Sequence, residues 1–433
     1  MSEAEILRPL DPGERFIWLV DSISSMNFIM IAELAGATLD EACVRRGLDL
    51  LQASHPLLAS RVVEGADGTI AFQRGAGPIP LQVEDRGDHD WHEPIQAELE
   101  TTFDAHSPAP ARCDLLQLPG RTIISLTFHH VIADARSGTT LLKDLLRFCL
   151  RDVAPASTQA VPPPMHSLFP AAFQWGDHPD KAADLARRIA EDALINGAPS
   201  ELPFLAHRET RKAARLRQIQ LDADQGRRLQ ERCRAEGTTV HGAICAAQLI
   251  ATQHLFDDAD TRTLYLVCPA DLRPHIAGDI EGQLSFCSTL LRSTYRVDGD
   301  AGFWALAREI GDDLRRRIER GDGHLTYAAL PLDKIGPSGP AFDAFAGALD
   351  QMPAGSNVSN IGRVEPLDDC PEVTAISFAL CAMPKHLASL NVSSYRDRLI
   401  INQTYDAAKL APDLADRLAR DLESLLISAG LPA

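Results

Sequence analysis

The sequence predicts an α/β protein built of two domains. Its 433 residues exceed what one ordinary hydrophobic core holds together. Segments with strand-like patterning alternate along the chain with segments whose apolar residues recur at helical spacing. The stretch 154–170, rich in proline, alanine and serine, interrupts this alternation as a linker does. We therefore expect a first domain over 1–175, a linker with one helix over 176–216, and a second domain over 217–433.

Each domain is expected to hold a mixed sheet flanked by helices. Turn pairs such as Asp67-Gly68 and Pro119-Gly120 mark hairpins. The predicted strands and hairpins are 27–36, 56–64 with 69–74, 111–118 with 121–128, 263–273, 284–295, 356–365, 373–383, and 386–395 with 398–406. The predicted helices are 39–54, 89–103, 137–150, 181–195, 238–256, 303–320 and 410–430, the last with Gly430 as its C-cap.

Charge and composition narrow the classes of function. The net charge of −18 would repel phosphate, which argues against a nucleic-acid partner. The nine cysteines form no C-x-x-C pair, as is typical of reduced side chains in the cytoplasm. The N-terminus lacks a signal-peptide core, and no segment approaches the roughly 20 apolar residues of a membrane helix. We expect a cytoplasmic monomer without a membrane span.

The segment FHHVIADARS, residues 128–137, lies where a predicted strand ends and a helix begins. Adjacent strand residues point to opposite faces, so one of His129 and His130 can face a cavity while the other faces the interior. Imidazole is well suited to proton transfer near neutral pH. Asp134 can anchor the loop as a helix cap or by an ion pair. A purely structural interpretation accounts for Asp134 but does not explain two adjacent histidines.

HHVIADA resembles the HHxxxDG signature of an acyltransferase superfamily. The superfamily includes chloramphenicol acetyltransferase, nonribosomal peptide condensation domains, plant BAHD acyltransferases, and polyketide-associated and alcohol acyltransferases. Four further segments resemble family segments in the same order, namely RPLDPGERF (8–16), ASHPLLASRV (53–62), VCPADLRP (267–274) and SNVSNIGRVE (356–365). The resemblance covers nearly the whole chain. It implies two chloramphenicol-acetyltransferase-like domains packed as a pseudo-dimer around a central channel.

The resemblance also implies roles for individual residues. His130 corresponds to the general base, and His129 to a residue that packs and positions the loop. Asp134 is implied to be structural and paired with an arginine, for which Arg273 matches the motif. The motif glycine is replaced by Ala135, which adds a methyl group where a pantetheine arm passes or the backbone turns.

Two further sets of residues are candidates for substrate contacts. A tetrahedral oxyanion needs a hydrogen-bond donor, which Ser359 or Asn360 can supply, although a polar residue beside a glycine is also typical of a bulge. The single basic run, residues 208–217, is interpreted as a solvated face or interdomain segment, or as a dock for the phosphates of coenzyme A or for an acyl carrier protein. Its candidate docking residues are Arg208, Arg211, Lys212 and Arg215.

The resemblance implies transfer of an acyl group from a thioester to an alcohol, forming an ester in secondary-metabolite or lipid biosynthesis. Acyl-CoA or a phosphopantetheinyl carrier thioester would be a co-substrate, with no permanently bound cofactor. One alternative is a freestanding condensation-type enzyme that forms an amide. Another is a catalytically silent recruitment domain with the same fold.

The sequence predicts no metal site. His89 and His92 stand three residues apart without a third ligand at a suitable spacing, which favours a solvated helix start. His241 lies on an apolar predicted helix and is interpreted as a core histidine. The expected acyl transfer needs neither a metal nor a covalent enzyme intermediate.

Overall fold

A computed structural model describes most of the chain. The described residues are 5–36, 39–65, 68–104, 107–151, 153, 155, 157–174, 179–206, 213–256, 258, 260–278, 280, 282–298, 302–328, 332 and 335–431. Within them the fold is α/β with three sheets. None of the helices in these residues combines the length and apolar character needed to cross a membrane.

Helices and strands alternate through most of the described chain. The helices are α1 Pro12–Asp21, α2 Glu41–Ser54, α3 His92–Glu100, α4 Ala135–Arg151, α5 Pro179–Asn196, α6 Ala223–Ala235, α7 Val240–Gln253, α8 Phe303–Glu319, α9 Asp322–Leu325, α10 Pro340–Asp350 and α11 Pro412–Ala429. The strands are β1 Ile6–Pro9, β2 Asn27–Ala35, β3 Ser60–Glu64, β4 Ile70–Arg74, β5 Leu81–Asp85, β6 Ala111–Leu118, β7 Arg121–His129, β8 Ala214–Leu221, β9 Arg262–Asp271, β10 Ser288–Val297, β11 Gly355–Val364, β12 Val373–Leu380, β13 His386–Tyr395 and β14 Arg398–Asp406.

Helix α1 was not predicted, although its start has a clear local cause. The Asp11 side chain accepts a hydrogen bond from the backbone N–H of Gly13, and the Glu14 carboxylate accepts one from the N–H of Asp11. This reciprocal capping box, with Pro12 in the first helical turn, fixes the start of the helix. Strands β1, β5 and β8 and helices α6, α9 and α10 were also absent from the predicted elements.

The first lobe is organised around a five-stranded sheet with the order β12-β2-β7-β6-β5. Four of these strands come from the first 130 residues, whereas β12 comes from the second half of the chain and pairs antiparallel with β2. Helices α2 and α4 pack against each other, and α4 lies on β2 and β7. The strand that ends at His129 is therefore central in its sheet and held on both sides.

The second lobe holds a six-stranded sheet with the order β10-β9-β11-β13-β14-β8. The hairpin of β13 and β14 turns at Arg396 and Asp397, which both have positive φ, as a two-residue hairpin turn requires. Helix α7 packs on α8 and α11, and these helices cover the sheet. The predicted class, two α/β lobes forming a pseudo-dimer, is confirmed by this arrangement.

The two lobes share buried apolar contacts. One compact cluster joins Ile29 and Ile31 of β2 and Trp91 beside α3 to Leu216 of β8. Strand β12 also contacts β13 and β14 of the second sheet. The lobes therefore meet along β2, β12 and β8, next to the loop that follows β7.

Candidate active site

The loop between β7 and α4 is anchored by Asp134. Its Oδ1 accepts hydrogen bonds from the backbone N–H groups of Arg136, at 3.1 Å, and Ser137, at 3.0 Å. These are donors of the first helical turn, so the carboxylate caps α4. The cap fixes where the helix begins and thereby holds the short loop that carries His130.

Asp134 also pairs with Arg273 of the second lobe. Nη1 of Arg273 lies 2.8 Å from Oδ2 of Asp134, and the backbone N–H of Cys287 donates to the same oxygen at 2.9 Å. Burial alone would raise the pKa of Asp134, but the charge and hydrogen bonds of Arg273 hold it below its usual value. The carboxylate is therefore ionised, almost fully buried, and bonded to both lobes.

His130 is held in one orientation by its own loop. Its Nδ1 lies 2.6 Å from the carbonyl oxygen of Ala133. Because a carbonyl only accepts hydrogen bonds, Nδ1 carries the hydrogen, and Nε2 keeps the lone pair. The ring packs between Phe28, at 4.9 Å between ring centroids, and Phe286, at 5.3 Å.

The surroundings of His130 favour its neutral form. Burial among aromatic rings lowers the pKa of His130, although the hydrogen bond to Ala133 and the charge of Asp134 act in the opposite direction. A neutral imidazole with a free Nε2 is the form that accepts a proton. The ring is thus ready to act as a base at neutral pH.

His129 faces away from this pocket. Its Nδ1 accepts a hydrogen bond from the backbone N–H of Val131 at 3.2 Å, and its Nε2 lies 3.7 Å from Oδ2 of Asp21. The two histidines therefore point to different sides of the loop. His129 braces the loop against the end of α1.

The pocket in front of His130 lies between the two lobes and encloses about 140 Å³. Strands from both sheets contribute to its wall. The residues that line it include Phe28, Ala135, Pro269, Phe286, Tyr327, Asn357, Ser359, Asn360 and His386. Phe286, Tyr327 and His386 were not predicted from the sequence, because nothing in their local pattern distinguishes a pocket wall from a core.

Ser359 and Asn360 both line this pocket. The backbone bulges directly after them, where the pairing of β11 with β13 slips between Asn360 and Arg363 and Gly362 has a φ of +73°. Oδ1 of Asn360 accepts a hydrogen bond from the N–H of Gly362 at 2.7 Å. The amide oxygen thus stabilises the bulge, which leaves the amide N–H₂ as the group able to donate.

Ala135 lines the pocket at the first position of α4. Its backbone is helical, and among the described residues the only non-glycine residues with positive φ are Arg396 and Asp397. The backbone at this position therefore does not require glycine. The effect of the alanine is the methyl group that it adds at the pocket wall.

Among the candidate docking residues, Arg215 belongs to the described part of the chain. Arg208, Arg211 and Lys212 fall outside the described residues. Arg215 lies on β8, where its guanidinium donates to the carbonyl of Ala214 at 2.7 Å and stands 3.9 Å from Glu100, away from the His130 pocket. His92 begins α3, and its Nδ1 lies 2.6 Å from Oδ1 of Asp90.

Residues 210–404 match the family model described as phthiocerol/phthiodiolone dimycocerosyl transferase C-terminus. Sequence similarity also extends to a probable non-canonical nonribosomal peptide synthetase, CymA, of Salinispora arenicola, at 26% identity over 254 residues. That match covers 55% of this chain and 3% of the synthetase. The chain therefore spans only a small part of that curated relative.

Solved structures match over nearly the full length. Polyketide synthase associated protein 5 from Mycobacterium tuberculosis has a TM-score of 0.67 at 18% identity, covering 100% of both chains. TRI3 trichothecene 15-O-acetyltransferase from Fusarium sporotrichioides has a TM-score of 0.71 at 14% identity, covering 98% of this chain and 95% of that one. The EpoB cyclization-docking bidomain from Sorangium cellulosum reaches 0.70 at 16% identity, covering 98% and 85%.

Proposed function

We propose, from the premise that this chain has the fold of the condensation-domain-like acyltransferase superfamily, that it is an acyltransferase. It would move an acyl group from a thioester, either acyl-CoA or an acyl carrier protein, to the hydroxyl of a small-molecule alcohol. The observation that carries the proposal is the tautomer of His130. Its Nδ1–H is committed to the carbonyl of Ala133, so Nε2 is the nitrogen left for a substrate in the interlobe pocket.

The chemistry needs one well-placed base. A thioester already has a good leaving group, because a thiol titrates near ~8.5. Nε2 of His130 would take the hydroxyl proton as the oxygen attacks the thioester carbonyl, giving a tetrahedral oxyanion. Collapse of that intermediate breaks the C–S bond, and the imidazolium returns its proton to the departing thiolate. The acceptor leaves as an ester, the donor as a thiol, and His130 as the neutral base.

The oxyanion would be stabilised from β11. Ser359 and Asn360 are both lining residues of the pocket that contains His130, on the wall formed by the second lobe. Donors on a packed strand are held in place before the reaction and need no reorganisation as charge develops. Because Oδ1 of Asn360 is engaged with Gly362, its amide N–H₂ is oriented by the bulge.

Amide formation is the second candidate, and one observation favours it. The sequence relatives with curated names, including CymA, are nonribosomal peptide synthetases. The same base would deprotonate an amine instead of an alcohol, so the acceptor decides between the two products. A catalytically silent recruitment role has weaker support, since it rests on Ala135 alone.

The test is a donor-and-acceptor panel. Short, medium and long acyl thioesters of coenzyme A and of a phosphopantetheinyl carrier are incubated with alcohol or amine acceptors, and thiol and products are followed by mass spectrometry. We expect wild type to release thiol with an alcohol acceptor and His130→Ala to lose about 10²–10⁴-fold in rate. His89→Ala is the matched control, because His89 is an exposed histidine outside the pocket. Equal, slow thiol release by wild type and His130→Ala with every acceptor would contradict the enzyme hypothesis.

A further inference from the structure

A histidine and two cysteines that are separate in the sequence come together in the second lobe. His241 and Cys245 stand one turn apart on α7, and Cys268 lies on the neighbouring strand β9. Their ligand atoms, one nitrogen and two sulfurs, all lie within 4.8 Å of one another. The two cysteines belong to the second hydrophobic core, and none of the three residues lines the pocket in front of His130.

The measured spacings match the edges of a coordination tetrahedron. Sγ of Cys245 lies 3.7 Å from Sγ of Cys268 and 3.6 Å from Nε2 of His241. With Zn–S of about 2.3 Å and Zn–N of about 2.0–2.1 Å, tetrahedral angles require S···S of about 3.8 Å and S···N of about 3.6 Å. Two of the three separations therefore already match those that a bound zinc ion would impose, and the third, between His241 and Cys268, is within 4.8 Å.

We infer that His241, Cys245 and Cys268 form a binding site for a thiophilic metal ion, with Zn²⁺ as the ion that the spacing fits best. Thiolate and imidazole ligands select Zn²⁺ over Mg²⁺ or Ca²⁺, which prefer oxygen. Two thiol protons would leave to solvent on binding, so the two thiolates and the ion form a cluster without net charge. Such a cluster suits a core position where a lone charge would be costly.

Access and coordination number follow from burial. Cys245 and Cys268 are buried, whereas His241 is half-buried at the first turn of α7. The ion would therefore enter beside the N-terminal end of that helix. Three protein ligands leave the fourth tetrahedral position open to water or to a small thiol.

The site would brace β9, the strand that leads to Arg273, the partner of Asp134. Cys268 is followed directly by Pro269, Ala270 and Asp271, which line the interlobe pocket, and then by Arg273. A metal that joins β9 to α7 would hold the end of β9 in place, and with it the pocket-lining residues that follow Cys268. Its role is structural, and it stands independently of the proposed acyl transfer.

The experiment measures metal binding directly. Untagged protein, purified without chelators, is analysed by inductively coupled plasma mass spectrometry, and the chelated protein is then titrated with Zn²⁺ and with Co²⁺. We expect close to one equivalent of Zn²⁺ per chain, and a thiolate-to-cobalt charge-transfer band with Co²⁺. Chelation should lower the melting temperature, and Zn²⁺ should restore it.

Variants locate the site. Cys245→Ser, Cys268→Ser and His241→Asn should each lose the cobalt band and most of the bound Zn²⁺. Cys233→Ser is the matched control, because Cys233 is also buried in the second core and lies outside the cluster; it should retain both. If a variant fails to fold, the wild-type cobalt spectrum still decides the matter, since absence of the charge-transfer band overturns the inference. A Cys245–Cys268 disulfide in non-reduced peptides of freshly purified protein would overturn it as well.

Discussion

Arg273 and Asp134 stand 139 positions apart in the sequence, yet Nη1 of the arginine lies 2.8 Å from Oδ2 of the aspartate. The pair is buried, with side-chain exposures of 10% and 7%. It ties the end of β9 to the loop that carries His130, so the geometry of the base depends on contact between the two lobes.

Asp134→Asn separates the two tasks of this carboxylate. Asparagine is still a good helix cap but carries no charge, so Asp271 would be the ionised partner that Arg273 keeps among the described residues. We expect the free energy of unfolding in urea to fall by about 3 kcal/mol, near the lower end of the cost of breaking a buried ion pair, with activity lost alongside. Asp40→Asn, at the exposed cap of α2, is the control and should change stability by less than about 0.5 kcal/mol. Equal effects at the two caps would contradict the structural role of the ion pair.

The rate should depend on pH through His130. Because burial lowers its pKa, the neutral base is already dominant at the ordinary histidine value of about 6.5. We expect kcat/KM to rise with pH, to reach half its maximum below about 6.5, and to stay level above neutrality. Circular dichroism at each pH separates this titration from unfolding. A half-maximal pH clearly above 6.5 would show that the active base is not this buried imidazole.

Asn360→Asp tests the oxyanion donor without removing the bulge. The carboxylate can still accept from the N–H of Gly362, but it has no N–H₂ to donate. We expect kcat to fall about 10²–10³-fold at nearly unchanged melting temperature. Ser359→Ala removes the other candidate donor, and the variant with the larger loss identifies the group that matters. Unchanged kcat in both variants would exclude an oxyanion role for this part of β11.

Gly138→Ala should displace Phe28, whose ring packs against His130. A Cβ at this position of α4 would lie 2.7 Å from Cε2 of Phe28 and 3.0 Å from Cγ of Met30. Since the Phe28 ring also contacts His130, we expect a loss of about 1–3 kcal/mol in unfolding free energy together with reduced kcat. Gly347→Ala in α10 has nothing within 4 Å and should be neutral or stabilising by up to about 1 kcal/mol. A stable and fully active Gly138→Ala would mean that α4 moves away freely.

Ala135→Gly tests the departure from the motif. The backbone is helical in either case, so the cost in stability should stay below about 1 kcal/mol. Removing the methyl group leaves more space in the pocket, and we therefore expect a lower KM for phosphopantetheinyl carrier donors. Ala135→Val should raise the same KM. Steady-state kinetics with matched coenzyme A and carrier donors measures both changes in KM. Identical KM values in the wild type and the two variants would show that the methyl group of Ala135 does not affect donor binding.

Much of this molecule can be predicted from local patterns and one motif. Residues of the HHVIADA segment predict the proposed base, the helix cap and the loop, because strand ends, helix starts and proton-transfer groups have local signatures. The start of α1 was equally readable, since Asp11 and Glu14 form a capping box. The sequence therefore contains a local signal for this helix.

Other features have no local signature. Strand β12 joins the first sheet by pairing with β2, which lies more than 300 residues earlier in the sequence. The pattern of apolar and polar residues within β12 does not indicate which strand it pairs with. The cluster of His241, Cys245 and Cys268 was not predicted, because it also depends on residues that are distant in the sequence. Its third member lies 23 residues from the second, on another element, so no metal-ligand spacing appears in the sequence.

The position of β12 sets an order of events during synthesis. Until β12 emerges from the ribosome, β2 is the outer strand of the first sheet, with one row of backbone hydrogen-bonding groups unpaired. The first sheet therefore lacks its fifth strand while the second lobe is still being synthesised. Cutting the gene at the proline-rich linker would therefore yield an N-terminal fragment with a permanently open edge, prone to pair with other copies of itself.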